Sequence, residues 1–177
     1  FVFDKKDGTL KFLNSQLTGG ADPCYIELDK TGKHVVTANY SGGSITAFDI
    51  NGDGTLTTAS QLIRFTGKGT DAERQKAPHL HCVRYSPDGK FLFADDLGTD
   101  KIHKFGINES NEGNYLKVGT PAAFDVAAES GPRHLDFHPN GKYAYLINEL
   151  SGAVIAFNYD ANAGNLTQIQ TIQADTL

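Results

Sequence analysis

Three residues, His81, Arg133 and Glu149, combine a neutral-pH proton acceptor, a fixed cation and a carboxylate. Such a set suits attack of water on an ester-type carbonyl. His81 or Glu149 would take the proton of the water. The Arg133 guanidinium would hold the developing oxyanion, or grip a substrate carboxylate with its bidentate fork. His79, His134, Asn148, Asp96 and Arg74 are the candidate substrate contacts around them. These positions are far apart in the chain, so the chemistry depends on the elements that gather them.

Those elements repeat. CYIELDKTGKHVVTANYSGGSITAF (24–48), HCVRYSPDGKFLFADDLGTDKIHKF (81–105) and RHLDFHPNGKYAYLINELSGAVIAF (133–157) align without a gap, at offsets of 57 and 52 residues. Propeller blades repeat at roughly 40–50 residues. Each segment predicts an alternating strand, a turn through Gly32, Gly89 or Gly141, a more continuously apolar strand, a second turn and a third strand. A fourth strand follows each, within 53–65, 112–119 and 163–172. The opening residues match the later part of the same pattern. The expected fold is therefore all-β: a β-propeller of four-stranded antiparallel blades, about three and a half blades of a seven-bladed ring. One partial domain spans 1–177, with the end of one blade at 1–19 and blades at 20–66, 78–120 and 130–173. A sandwich fits the strand spacing but not the gapless repetition. Since such an arc leaves apolar end faces, closure is expected from remaining blades of the same protein or from another chain.

In an antiparallel blade the start of the first strand and the end of the second share one end of the sheet. Cys24, His81 and Arg133 start the first strands. Asn39, Asp96 and Asn148 end the second strands, followed by Tyr40, Leu97 and Glu149. The frame is constant while these positions vary, and His, Arg, Asp and Glu stand where turn filler would suffice.

With the preceding ERQKAPHLH, the second segment and GPRHLDFHPNGKYAYLINEL resemble the seven-bladed lactonase propellers of the 6-phosphogluconolactonase type, which include the fungal carboxymuconate cyclases. GPRH followed by NEL at this spacing is the specific signal; SPDG alone is common to many propellers. The resemblance implies hydrolysis of an anionic sugar lactone, most simply 6-phosphogluconolactone to 6-phosphogluconate in the pentose phosphate pathway. It implies no cofactor, and it places functional roles on His81, Arg133 and Glu149. A muconate-type lactonizing cyclase using the same Arg and Glu is the alternative enzyme. A further Arg used by that branch would lie beyond Leu177. A non-catalytic propeller binding a partner is the alternative of a different class.

Each singled-out residue has a plainer reading. His79 and His81 at i, i+2 could ligate a metal, but no third ligand has diagnostic spacing, so none is expected. Arg133 and Glu149 could form an ion pair between loops. Asp95 and Asp96 could cap turns, and His134 and His138 could serve as hydrogen-bonders. Cys24 is read as a small wall residue, and His103 and Lys104 as structural. GKGT at 67–70 lacks the GxxxxGK[ST] pattern of a phosphate loop. The charged loop 66–77 brings Lys68, Arg74 and Lys76 toward the same face, where they could reach a phosphate or remain solvated. The net charge of −5 disfavours nucleic acid as a partner. No run approaches the roughly 18 apolar residues of a membrane helix, so no membrane partner is expected. Two cysteines, Cys24 and Cys82, favour a reducing compartment, and cytoplasmic localisation is the expectation. Phe1 and the lack of a hydrophobic leader read as a fragment.

Overall fold

The computed structural model describes residues 1–110 and 114–174. Its described strands form three four-stranded antiparallel sheets and one two-stranded hairpin, each in sequential order. The hairpin pairs β1 (Val2–Phe3) with β2 (Leu10–Lys11). Blade 1 contains β3 (Pro23–Leu28), β4 (His34–Asn39), β5 (Ser44–Ile50) and β6 (Leu56–Arg64). Blade 2 contains β7 (Leu80–Tyr85), β8 (Phe91–Asp96), β9 (Lys101–Ile107) and β10 (Leu116–Asp125). Blade 3 contains β11 (Pro132–Phe137), β12 (Tyr143–Asn148), β13 (Ala153–Asp160) and β14 (Asn165–Gln173). These sheets are the expected propeller blades, and nothing in them pairs as a sandwich would.

The repeated turn is built as its sequence requires. Gly32, Gly89 and Gly141 sit at φ of 69°, 72° and 68°, a region that side chains disfavour. Each blade caps the turn differently. The Asp29 carboxylate accepts from the Lys33 and His34 amides, the Ser86 hydroxyl from the Phe91 amide, and the His138 ring from the Asn140 amide. Residues 112 and 113, where the fourth strand of blade 2 was expected to begin, lie outside the described residues, as do 175–177 of the predicted domain. β10 runs past the expected residue 119 to Asp125, because its pairing with β9 resumes after a register shift between Val118 and Ala123 that spans the cis Thr120–Pro121 bond.

Two buried seams join the blades. Val36, Ala38, Ile45 and Ala47 of blade 1 pack against Leu80, Val83, Leu92 and Phe105 of blade 2. Phe93 and Ile102 of blade 2 pack against Leu135, Ala144, Leu146, Ile155 and Phe157 of blade 3. Each fully buried large side chain contributes roughly 1.5–3 kcal/mol, so the seams fix how neighbouring blades sit. The segment before β3 covers the β5–β6 part of the other face of blade 1: Asn14 exchanges two hydrogen bonds with the Leu56 backbone, and Thr46 donates to the Thr18 carbonyl. The ends of the arc are open. Ile26 is 63 % exposed where the equivalent Val83 is fully buried, and Ile147 is 44 % exposed where the equivalent Asp95 is covered by blade 3.

Candidate active site

The strand starts carry a shared irregularity. In β3–β4 pairing the register jumps between Pro23 and Tyr25, in β7–β8 between Leu80 and Cys82, and in β11–β12 between Pro132 and His134. The residues left without a partner are Cys24, His81 and Arg133. Each is therefore a bulge residue, freed from the ladder and re-aimed at the blade rim, a common device beside active sites. Glu149 follows the end of β12 on the same rim.

The bulges bring these groups to one carboxylate. Arg133 Nε donates to Glu149 Oε2 at 3.1 Å, and His81 Nε2 lies 3.7 Å from the same oxygen. Arg74 Nη2 donates to Glu149 Oε1 at 2.5 Å and to the Tyr40 hydroxyl at 3.2 Å. A cleft of about 710 Å³ opens here, lined by Asp22, Pro23, Cys24, Tyr40, Arg74, His81 and Glu149. That volume falls in the range of small-molecule sites.

Arg74 reaches the cleft because its loop, between β6 and β7, is pinned. Asp71 Oδ1 accepts from the Glu73 and Arg74 amides. The fully buried Gln75 donates to the Leu97 carbonyl at 2.8 Å. At Gly98 an added Cβ would lie 1.8 Å from the Ala77 carbonyl oxygen, so only glycine lets the loop pack so closely on blade 2.

Charge tunes the two candidate bases in different ways. Burial works against ionised Glu149, but the bond and charge of Arg74, the charge of His81 and the Arg133 bond outweigh it and hold the carboxyl below the usual glutamate range. Burial and then the Arg133 charge lower the pKa of His81 below that of ordinary imidazole, while its own backbone carbonyl and Glu149 oppose them. His81 is thus a neutral acceptor at pH 7, whereas Glu149 is a weak base held by cations. Burial raises the Cys24 thiol, which argues against a thiolate nucleophile.

Other expected contacts are placed elsewhere. Asp96 is fully buried beneath the rim, where Oδ1 accepts from the His79 and Gly98 amides and Oδ2 from the Thr99 hydroxyl. Asn148 is buried within its blade and donates to the Ala153 carbonyl. His79 stacks flat on Tyr40, with ring centroids 4.5 Å apart, instead of facing the cleft. His134 lies behind Arg133, its Nδ1 3.4 Å from Nη1, a geometry suited to accepting from the guanidinium. Among the described residues no cluster of three or more His, Cys, Asp or Glu could hold a metal ion. The repeat places Tyr40 on this rim in register with Glu149, but nothing in the sequence signals that its hydroxyl meets Arg74.

Comparison with known proteins matches this architecture. The model of the family "Lactonase, 7-bladed beta-propeller" covers residues 1–176. A 6-phosphogluconolactonase of Bacillus subtilis is 38 % identical over 174 residues, covering 98 % of this chain and 48 % of the relative. A candidate 6-phosphogluconolactonase of Bacteroides fragilis has a structure that superposes with a TM-score of 0.95 at 60 % identity, over 100 % of this chain and 50 % of that one. The periplasmic gluconolactonase PpgL of Pseudomonas aeruginosa superposes with a TM-score of 0.89 at 36 % identity, over 96 % and 47 %. The chain thus spans about half the length of these relatives. The periplasmic relative overturns the cytoplasmic expectation. Blade seams stabilise this fold without disulfides and both cysteines are free, so a low cysteine count does not report the compartment. Because the family model matches its residues 1–176, this chain belongs to the seven-bladed lactonase β-propeller family.

Proposed function

We propose that the protein hydrolyses a phosphorylated sugar lactone, 6-phosphogluconolactone being the substrate suggested by the names of its relatives. The observation that carries this reading is the single carboxylate of Glu149 shared by Arg74, Arg133 and His81 at the edge of a lined cleft. Partly exposed ion pairs of this kind are worth about 0–1 kcal/mol, so an incoming anion can replace Glu149 on an arginine at small cost.

His81 Nε2 takes a proton from water as the water oxygen bonds to the lactone carbonyl carbon. Arg133 stabilises the oxyanion that forms. The ring C–O bond then breaks, the carbonyl re-forms, and the leaving alkoxide takes the proton back from His81. Glu149 orients Arg133, and Arg74 holds the phosphate. The working enzyme is the ring completed by further blades, which also cover the apolar end faces at Ile26 and Ile147.

Two arginines on one carboxylate would also seat a dicarboxylate, so the assay pairs the lactone with a muconate-type diacid. In the complete protein, His81→Asn and Arg133→Ala are expected to lower kcat on the lactone by about 10²-fold or more with folding intact. The acid limb of the rate profile should fall below pH 6.5, the ordinary imidazole value, and Glu149→Gln should move it lower still. Unchanged turnover in either of the first two variants, or turnover of the diacid alone, refutes the reading.

A further inference from the structure

We infer that Tyr40 is a specificity-determining partner of Arg74, holding the guanidinium over the cleft when Glu149 yields it to the phosphate of the substrate. The inference rests on the hydrolase reading above and goes beyond it, since neither the strand pattern nor the bulges call for a phenol here.

Tyr40, Leu97 and Glu149 occupy one repeat position in the three blades. Leu97 of the middle blade is fully buried under the loop, while Tyr40 and Glu149 flank it and line the cleft. Arg74 bridges the two, with Nη2 bonded to the Glu149 carboxylate at 2.5 Å and the Tyr40 hydroxyl at 3.2 Å. A guanidinium on a long stem loses rotamer freedom when fixed, so an Arg held by the carboxylate alone would swing free once that carboxylate is displaced. The phenol is neutral and does not compete with a phosphate for charge. It therefore remains as acceptor through the exchange, leaving the other donors of Arg74 for the phosphate oxygens.

Tyr40 is itself fixed for this purpose. Its ring is stacked on His79, at 16° between planes, and stands T-shaped to the His81 ring at 5.6 Å. His79 Nδ1 lies 3.2 Å from the Tyr40 carbonyl oxygen, and the His79 amide is held by buried Asp96. A buried carboxylate thus sets a histidine, the histidine sets the phenol, and the phenol sets the arginine.

The test compares Tyr40→Phe, Arg74→Ala and the double variant in the complete protein on 6-phosphogluconolactone and its unphosphorylated counterpart. Tyr40→Phe should raise KM for the phosphorylated lactone about five- to tenfold, at least fivefold more than for the unphosphorylated one, with kcat within about twofold. In the Arg74→Ala background it should add nothing. Equal effects on both lactones, or additivity with Arg74→Ala, overturn the inference. Binding of inorganic phosphate separates the two levels of failure. A protein that opens neither lactone yet binds phosphate in a Tyr40-dependent way defeats the hydrolase reading and upholds the arginine seat. Phosphate affinity that ignores Tyr40 overturns the seat, whatever the turnover.

Discussion

Blade 1 presents Val36, Ala38, Ile45 and Ala47 to its neighbour, and blade 2 presents Phe93, Asp95, Ile102 and Lys104 from the same repeat positions. All eight are buried, with at most 1 % exposure. The first seam is apolar at these four positions; the second buries a carboxyl and an amine. The two polar groups are treated differently. Lys104 Nζ donates to the Thr120 carbonyl, the Ala163 carbonyl and Asn165 Oδ1 at 2.7–3.1 Å, and rests over the rings of Phe91 and Phe124. Among the described residues, neither oxygen of Asp95 has a partner in hydrogen-bonding geometry. Burial pushes its carboxyl up to about 7, and the nearby Leu135 amide and Cys82 thiol offset this only in part. One blade frame therefore accepts either an oily seam or a polar one, but an amine with three acceptors is a clip between blades, while an unpartnered acid is a weak point.

Transplanting the acid should break the first seam. Ala38→Asp would place a carboxyl among Leu80, Val83 and Leu92, at an expected cost of about 4 kcal/mol or more at pH 8, and less at pH 4 where the group is neutral. Denaturant unfolding at the two pH values measures it. A loss below 1 kcal/mol would show that the seams are equally polar. Lys104→Met keeps the stem packing but strips a donor from three oxygens, and should cost about 3 kcal/mol by the shift in denaturation midpoint at constant m value. A neutral result would mean that relief of the buried charge offsets the lost bonds, and the clip would be refuted.

The reverse exchange is smaller and of opposite sign. A carboxyl whose folded pKa is raised contributes stability in full below its unfolded value near 4, and loses it as pH rises to about 7. Asp95→Ala removes that loss. Alanine does not titrate, so the variant should gain about 4 kcal/mol on the parent between pH 4 and pH 8: about 2 kcal/mol less stable at pH 4, where only the small void counts, and about 2 kcal/mol more stable at pH 8. A variant less stable than the parent at pH 8 would show that Asp95 has a partner in the folded protein.

How much of this was legible in the sequence follows from what periodicity can report. The blades, their turns at Gly32, Gly89 and Gly141, and the rim positions of His81, Arg133 and Glu149 stand out because a constant frame exposes its own exceptions. Arg74 was legible as a cation in a loop bound for the rim. Side-chain direction at the strand ends was not. Alternation assigns faces only where pairing is regular, and each first strand slips its register at the residue in question. Asp96 and Asn148 therefore read as rim groups and turned inward, while Tyr40, a rim position with no role legible in the sequence, faced the cleft. The polarity of the second seam was hidden for a related reason: FLFADD and KIHKF show charged residues near strand ends without showing that the next blade closes over them.

The smallest expected effect tests whether the polar seam serves the site above it. Asp95 lies next along β8 to Asp96, which anchors the His79 amide, and it pairs across the ladder with Cys82, the neighbour of His81. Proximity alone would invite a functional role for its raised pKa. Its carboxyl, however, is 1 % exposed, and the leading influences on His81, Arg74 and Glu149 are burial and the groups of the rim itself. A structural acid predicts that Asp95→Ala leaves kcat and KM for the lactone within about twofold and the acid limb of the rate profile in place. A tenfold fall in kcat, or a limb moved by a full pH unit, would join the seam to the site. The difference between the two seams would then be part of how the cleft works instead of a tolerance of the frame.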